Sequence, residues 1–232
     1  MGLPTPTLCQ SPRVLVPVNG RRAWPARVRQ VRTYNVGVGG RMTTTTTDRF
    51  TTADLDRLEL PESWRAEIID GALYVSKAPG WDHQAVVANV YVALRAWAET
   101  HAGRVNWGIG VIYADDDNVI PDVVWISAER LAQARDAAGH LNELGPELVV
   151  EVVSPGAENA RRDRDAKLAL YSRRDALEYW IIDPRMRAVQ VYTRPQGDRS
   201  EPLEHRAELH DDDVLTSDLL AGFAVRVSTF WP

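Results

Sequence analysis

Long hydrophobic runs and cysteine are scarce in this 232-residue chain. No apolar run approaches the ~20 residues that span a bilayer, so the sequence predicts no membrane helix. Cys9 is the single cysteine, which excludes an internal disulfide and favours a reducing cytoplasm as the compartment. The hydrophobic share of 44% and the charged share of 25% are ordinary for a globular protein.

The sequence also lacks the short motifs of several enzyme classes. It contains no P-loop, no Rossmann glycine pattern, no zinc-ligand spacing and no nucleophile elbow. Lysine is nearly missing as well, since the chain has 25 arginines but only Lys77 and Lys167. Each lysine is therefore of interest, because an ammonium offers a compact charge whose pKa the protein can move, whereas a guanidinium does not.

Charge is unevenly distributed along the chain. Residues 1–42 contain seven arginines and no acid, so they carry a charge of +7. Because the whole chain carries −5, residues 43–232 carry −12. An acidic body is not typical of a nucleic-acid binder, although a local basic patch can dominate binding. Residues 1–42 are rich in Pro, Gly and Arg without an apolar period, and no apolar stretch follows Arg21-Arg22 as in an export signal. We predict a disordered basic extension over 1–42, one domain over 43–232, and Met42 as a candidate start of the functional protein.

The hydrophobic pattern of residues 43–232 predicts an α/β core with a mixed sheet flanked by helices. Helical spacing is found at 53–58, 83–101, 128–138 and 159–174. Strands are predicted at 107–114, 119–126, 147–153, 178–183 and 188–193, with a hairpin at 67–75 and an edge strand within 219–230.

Two carboxylates lie in apolar strands of this pattern. Glu151 is surrounded by apolar residues on both faces, and Asp122 is the only charge in the strand 119–126. Pro121 removes a ladder donor just before Asp122, which indicates an edge or a bulge. A buried carboxylate needs a compensating partner, and the alternatives are a metal ion, an arginine or backbone donors. Two carboxylates side by side favour Mg²⁺, which prefers oxygen ligands.

Lys167 is the third candidate. Helical spacing places it near the centre of an apolar arc, facing the sheet, and on one face with Asp163 and Tyr171. The alternative is a snorkelling lysine paired with Asp163. The same helix contributes Arg161, Arg162 and Arg164, which predict a local basic surface for a phosphate backbone. His83 is a weaker candidate, as a helix cap or a ligand. The run 115–117 is expected to be a polar turn.

These residues resemble the PD-(D/E)XK nuclease superfamily and, from about residue 48 to 232, the Uma-two family of restriction endonucleases. The matching stretches are Glu67-Ile68-Ile69-Asp70-Gly71, Pro121-Asp122-Val123, residues 147–155, Asp163, Lys167, Tyr171 and residues 178–184. The general superfamily pattern has a lysine two residues after the glutamate, where this chain has Val153. The Uma-two pattern supplies it from the following helix, here as Lys167.

The resemblance implies a Mg²⁺-dependent endonuclease that hydrolyses DNA, with Mn²⁺ as a substitute metal and a possible homodimer that cuts both strands. Asp122 and Glu151 would hold the metal, Lys167 would act on water or phosphate, and Glu67 would be a further acid. Asp163 and Tyr171 would position Lys167. The alternatives are a catalytically silent module that binds DNA or a partner, and a metal-independent hydrolase with an acid/base pair of carboxylates.

Deletion of residues 1–41 is expected to leave the melting temperature nearly unchanged, because a Pro/Gly/Arg-rich segment without periodicity buries little surface. Differential scanning calorimetry of the full chain and of a chain that starts at Met42 measures the effect. A drop of many degrees would show that the segment packs on the domain.

Overall fold

The structure, a computed structural model, describes residues 14–15, 49–154 and 162–232, with only the backbone at 14–15 and 162–163. Its helices are α1 (Thr52–Leu55), α2 (Trp81–Ala98), α3 (Ala128–Ala134) and α4 (Lys167–Arg173). Its strands are β1 (Val14–Leu15), β2 (Trp64–Ile69), β3 (Ala72–Lys77), β4 (Arg104–Trp107), β5 (Val111–Ala114), β6 (Asp117–Val119), β7 (Val123–Ile126), β8 (Leu141–Asn142), β9 (Leu148–Val152), β10 (Glu178–Asp183), β11 (Ala188–Thr193), β12 (Glu204–His210), β13 (Val214–Thr216) and β14 (Ala224–Arg226).

Two six-stranded sheets form most of the described structure. The central sheet has the order β12-β11-β10-β9-β7-β4, and the second sheet has the order β1-β3-β2-β6-β5-β8. In the central sheet β9 pairs in parallel with β10 and antiparallel with β7, so the sheet is mixed. The predicted fold class is thereby confirmed, including the buried central position of the strand that carries Glu151.

Two apolar cores lie on opposite faces of the central sheet. On one face, α2 and the C-terminal segment pack against β9 and β10, with Val90, Leu94 and Phe230 fully buried. The other face packs against α4 and the second sheet, with Leu170 and Tyr179 among the buried residues. Strand β9 alternates between the two cores, and it buries Val150 in the first and Val149 in the second.

The two strands predicted at 107–114 and 119–126 are each divided between the sheets. Strands β5 and β6 pair in the second sheet, whereas β4 and β7 pair in the central sheet. The chain bends at Gly108, whose φ is +60°, and at Pro121, which cannot donate to a ladder. Gly108 N–H lies 3.2 Å from the carbonyl oxygens of both Pro121 and Asp122. The bend therefore places Asp122 at the joint between the two sheets rather than within a strand.

Other boundaries also differ from the sequence-based expectation. Val14–Leu15 pair in parallel with Leu73 and Tyr74 at the edge of the second sheet. The other residues of the 1–42 extension lie outside the described residues. The C-terminal residues form β14, which pairs with β13 in a separate two-stranded sheet, and not an edge strand of the main sheet.

Asp117 is not part of a solvated turn, as the run 115–117 was expected to be. Its carboxylate is buried and accepts hydrogen bonds from the guanidinium groups of Arg173 and Arg174, at 3.1 and 2.7 Å, and from the amide of Asp70 at 2.7 Å. These contacts link β6 to the end of α4. A buried carboxylate needs such donors, and no pattern along the chain indicates that two arginines 56 and 57 residues away would supply them.

Replacement of Asp117 by Ala is expected to lower the free energy of unfolding by ~2 kcal/mol. Loss of one partner of a buried pair costs ~3–5 kcal/mol, and the effect is smaller here because water reaches both arginine side chains. Urea denaturation measures the change, with Asp115→Ala in the exposed turn as the matched control. Equal stability of the two variants would contradict a structural role for the Asp117 cluster.

Candidate active site

Asp122 and Glu151 face each other across neighbouring strands. Strands β7 and β9 are antiparallel with Val123 opposite Val150, and Asp122 and Glu151 are the chain neighbours of this pair. The amide of Val152 donates to Asp122 Oδ2 at 2.8 Å, which fixes this carboxylate against the end of β9. The two acids that stood out in the sequence are thus brought together.

Lys167 lies between the two sheets and joins a carboxylate from each. A π-helical turn over Arg162–Ala166 leads into α4, and Lys167 is 1% exposed. Its Nζ donates to Glu151 Oε1 at 2.7 Å and lies 3.1 Å from Glu67 Oε1. Glu67 also accepts a hydrogen bond from the amide of Ile120 at 2.8 Å. The helical spacing placed Lys167 correctly against the sheet, and the snorkelling alternative does not describe its position.

Tyr171 lies one turn after Lys167 but does not hold the lysine, contrary to the sequence-based expectation. Its hydroxyl donates to Glu151 Oε1 at 2.8 Å, the same oxygen that accepts from Lys167. Burial raises the pKa of Tyr171 well above its ordinary value, and the charge of Glu151 raises it further. The phenol therefore keeps its proton and orients Glu151.

His83 completes the environment of Asp122. His83 Nε2 lies 3.2 Å from Asp122 Oδ1, and His83 Nδ1 lies 3.4 Å from the hydroxyl of Ser154. Burial acts to raise the pKa of Asp122, but the hydrogen bond and charge of His83, the charge of Lys167 and the Val152 amide outweigh it and hold the pKa below its ordinary value. Asp122 is therefore ionised at neutral pH, with a donor on each oxygen.

These side chains line one pocket of about 40 Å³, room for about three water-sized species. The lining residues are Arg65, Glu67, Ser76, Lys77, Pro79, His83, Ile120, Asp122, Glu151, Val152, Ser154 and Lys167. Three carboxylates, one lysine and the His83 imidazole therefore share the inner part of the pocket. The structure thus gathers Glu67, Asp122, Glu151 and Lys167 at one place.

The donor set of the pocket fits a small divalent cation. Mg²⁺ takes oxygen ligands and typically uses one or two carboxylates, with water and phosphate oxygens completing its shell. Asp122 and Glu151 supply that number of carboxylates. Within the described ranges, no group of three or more His, Cys, Asp or Glu side chains could hold a metal ion. A metal in this pocket would therefore rest on two carboxylates, with water or substrate oxygens as its other ligands.

The arginines predicted to contact DNA are only partly described. Arg161 lies outside the described residues, as do the side chains of Arg162 and of Asp163. Arg164 Nη2 donates to Asp183 Oδ2 at 2.8 Å, with 39% of the arginine side chain exposed. Its charge is therefore compensated by a local carboxylate in this structure.

Several pocket residues were not singled out by the sequence. His83 was only a weak candidate, because a single histidine near a helix start has many possible roles. Arg65 was overlooked, although alternation along β2 places it on the same face as Glu67. Lys77 carried one usable signal, since it is the only other lysine of the chain and also lines the pocket.

A mixed α/β fold with a carboxylate–lysine pocket is the arrangement that the comparisons with known proteins have to explain. The chain matches the Uma2 family, described as "Putative restriction endonuclease", over residues 52–228, and it belongs to that family. The fold is similar to the crystal structure of a "putative nuclease belonging to DUF820" from Anabaena variabilis, with a TM-score of 0.59 and 15% identity, covering 78% of this chain and 97% of the other. No curated protein sequence matches the chain significantly. No helix among the described residues is long and apolar enough to cross a membrane.

Replacement of His83 by Ala is expected to raise the pKa of Asp122, because burial then acts against fewer stabilising contacts. The pKa of Asp122 also determines how the stability of the protein depends on pH. The lowered folded-state pKa makes ionised Asp122 stabilising above its ordinary pKa of 3.8, and this contribution is lost as the pH falls through the folded-state value. Carboxyl ¹³C NMR titration measures the pKa directly. His83→Gln, which keeps an N–H donor, is the control, and an unchanged pKa in His83→Ala would contradict the role of His83.

Proposed function

We propose that this protein is a Mg²⁺-dependent endonuclease that hydrolyses phosphodiester bonds of DNA, with Mn²⁺ able to substitute. The observation that carries the proposal is the pocket in which Asp122 and Glu151 face each other beside the buried ammonium of Lys167. Membership of the Uma2 family and the nuclease-like fold support it. The proposal assigns Asp122 and Glu151 as the residues that hold the metal, with Glu67 as an additional acid.

The chemistry that a bound Mg²⁺ supplies is Lewis acidity, which neutralises phosphate charge and makes water more acidic. The protein side chains have separate tasks. Val152 N–H and His83 hold Asp122, and the Tyr171 hydroxyl holds Glu151 in a single orientation. Such orientation reduces the reorganisation needed when charge develops on the phosphate.

Lys167 is proposed to orient the attacking water and to stabilise negative charge on the phosphate. In each cycle one water is consumed. Its oxygen forms a new bond to phosphorus, the bond from phosphorus to a sugar oxygen breaks, and one proton passes to that leaving oxygen. The buried Lys167 Nζ can orient the water or stabilise the phosphate without losing all its carboxylate partners, because it contacts both Glu67 and Glu151. Arg164, together with Arg161 and Arg162, is proposed to contact the DNA backbone.

A catalytically silent nuclease-fold protein is the second candidate. One observation favours it. The acids of the pocket already have partners, namely Lys167 and hydrogen-bond donors. Among the described residues, no group of three or more potential ligand side chains could hold a metal ion. Such a protein would bind DNA or a partner but would neither bind Mg²⁺ in the pocket nor cleave.

Glu151→Gln tests the site as a unit. The change keeps the shape of the side chain and removes its charge, so metal-dependent cleavage of plasmid DNA should nearly vanish. The apo protein should lose about 3 kcal/mol of stability, because the buried Lys167 loses one partner of an ion pair and keeps only its contact with Glu67. Cleavage with Mg²⁺, Mn²⁺ or EDTA and thermal unfolding in the same buffers provide the measurements, with Glu129→Gln on the exposed face of α3 as the control.

The two candidates give different results in this experiment. An active site predicts that Mg²⁺ raises the melting temperature of the wild type and of Glu129→Gln but not of Glu151→Gln. No effect of Mg²⁺ on the melting temperature of the wild type, together with no cleavage, would overturn the proposal and favour the silent protein.

A further inference from the structure

The outer part of the pocket differs in charge from its buried floor. Glu67 and Glu151 are buried, whereas Arg65 and Lys77 are exposed and Ser76 is partly exposed. All five line the same pocket. Acidic residues on the floor repel a phosphate, so an anionic substrate needs positive charge nearer the solvent. The β2–β3 hairpin supplies that charge.

The strand register relates Arg65 directly to the floor of the pocket. Arg65 and Glu67 are two residues apart on β2, so their side chains share a face and their Cα atoms are about 7 Å apart. Ser76 on β3 is directly opposite Arg65. A guanidinium and a hydroxyl thus sit side by side, one step outward from a carboxylate that Lys167 contacts.

Arg65 also differs from the other arginines near the site in having no acidic partner. Arg173 and Arg174 are bound to Asp117, and Arg164 is bound to Asp183. In the part of the chain that the structure describes, no carboxylate lies within ion-pair distance of Arg65 or of Lys77. The Lys77 ammonium lies 5.7 Å from the centre of the Trp64 ring, a cation–π contact that leaves its charge uncompensated.

We infer that Arg65 and Ser76, with Lys77 beside them, bind a backbone phosphate of the DNA strand next to the phosphate that is cleaved. This inference rests on the proposed function and names the surface over which the strand leaves the pocket, namely the β2–β3 hairpin. Arginine presents a planar fork of donors that matches phosphate oxygens, and a serine hydroxyl adds one more donor. Lys77 adds a point charge at the same edge.

The test is the salt dependence of DNA binding, measured by fluorescence anisotropy of a labelled duplex and a labelled single strand in EDTA and in Ca²⁺. Each phosphate contact contributes about 0.9 to the slope of log K against log salt for a duplex and about 0.7 for a single strand. Arg65→Gln should lower the slope by about that amount and weaken binding about tenfold at low salt. Arg65→Lys should keep most of the slope. Arg65→Gln combined with Lys77→Gln should lower the slope by the amount expected for the loss of about two phosphate contacts.

Arg206→Gln is the matched control, because Arg206 is also an exposed strand arginine without an ion pair in the described residues, on the edge strand β12. Cleavage of the same DNA with Mg²⁺ is followed in parallel, and Arg65→Gln should raise the KM. Equal slopes for the wild type, Arg65→Gln and Arg206→Gln would overturn the inference, even if the wild type cleaves DNA.

The remaining outcomes separate this inference from the proposed function. Binding that depends on Arg65 without any cleavage by the wild type would support the phosphate site and overturn the nuclease activity. No DNA binding by the wild type in either buffer would overturn the inference, while cleavage would then be judged on its own assay.

Discussion

The contact of Lys167 with Glu67 and Glu151 is the interaction on which the site depends. It joins three elements that share no backbone ladder: α4, β2 of the second sheet and β9 of the central sheet. Taking any of these charges out of water alone would cost several kcal/mol, and the cost falls only when the partners are in good geometry. The arrangement of the helix and both sheets is therefore coupled to the arrangement of the pocket.

The pocket lies where the two sheets separate, and this position has a structural cause. The long hairpin that contains β4 to β7 crosses from one sheet to the other at Gly108 and Pro121. At the crossing the backbone leaves its ladder, so the side chain of Asp122 can face a cavity instead of a neighbouring strand. A continuous strand through this region would have placed Asp122 in a packed interface.

Arginine has two different roles around this site. Arg173 and Arg174 are used structurally, since they compensate the buried Asp117 and attach α4 to β6. Arg65, by contrast, is exposed at the pocket mouth without an acidic partner among the described residues. This division explains how an acidic body can offer positive charge at one place, because most of the arginines near α4 are already neutralised by carboxylates.

The sequence by itself identified the residues whose chemistry conflicts with their surroundings. Glu151 and Asp122 stood out because carboxylates in apolar strands need a partner, and Lys167 stood out because of the scarcity of lysine and its helical spacing. The strands β10 and β11 were also predicted with their observed ends, since both are bounded by clear turns. These features depend on residue types and on their close neighbours along the chain, and the sequence shows both directly.

Only the tertiary structure decided which partner each charge has. It assigned Tyr171 to Glu151 rather than to Lys167, His83 to Asp122, and the two arginines at the end of α4 to Asp117. It also divided two apparently continuous strands between two sheets. These outcomes depend on contacts between residues as many as 57 positions apart, such as Arg174 with Asp117. The pairing of such distant groups is set by how the sheets and helices pack, and residue spacing along the chain does not contain that information.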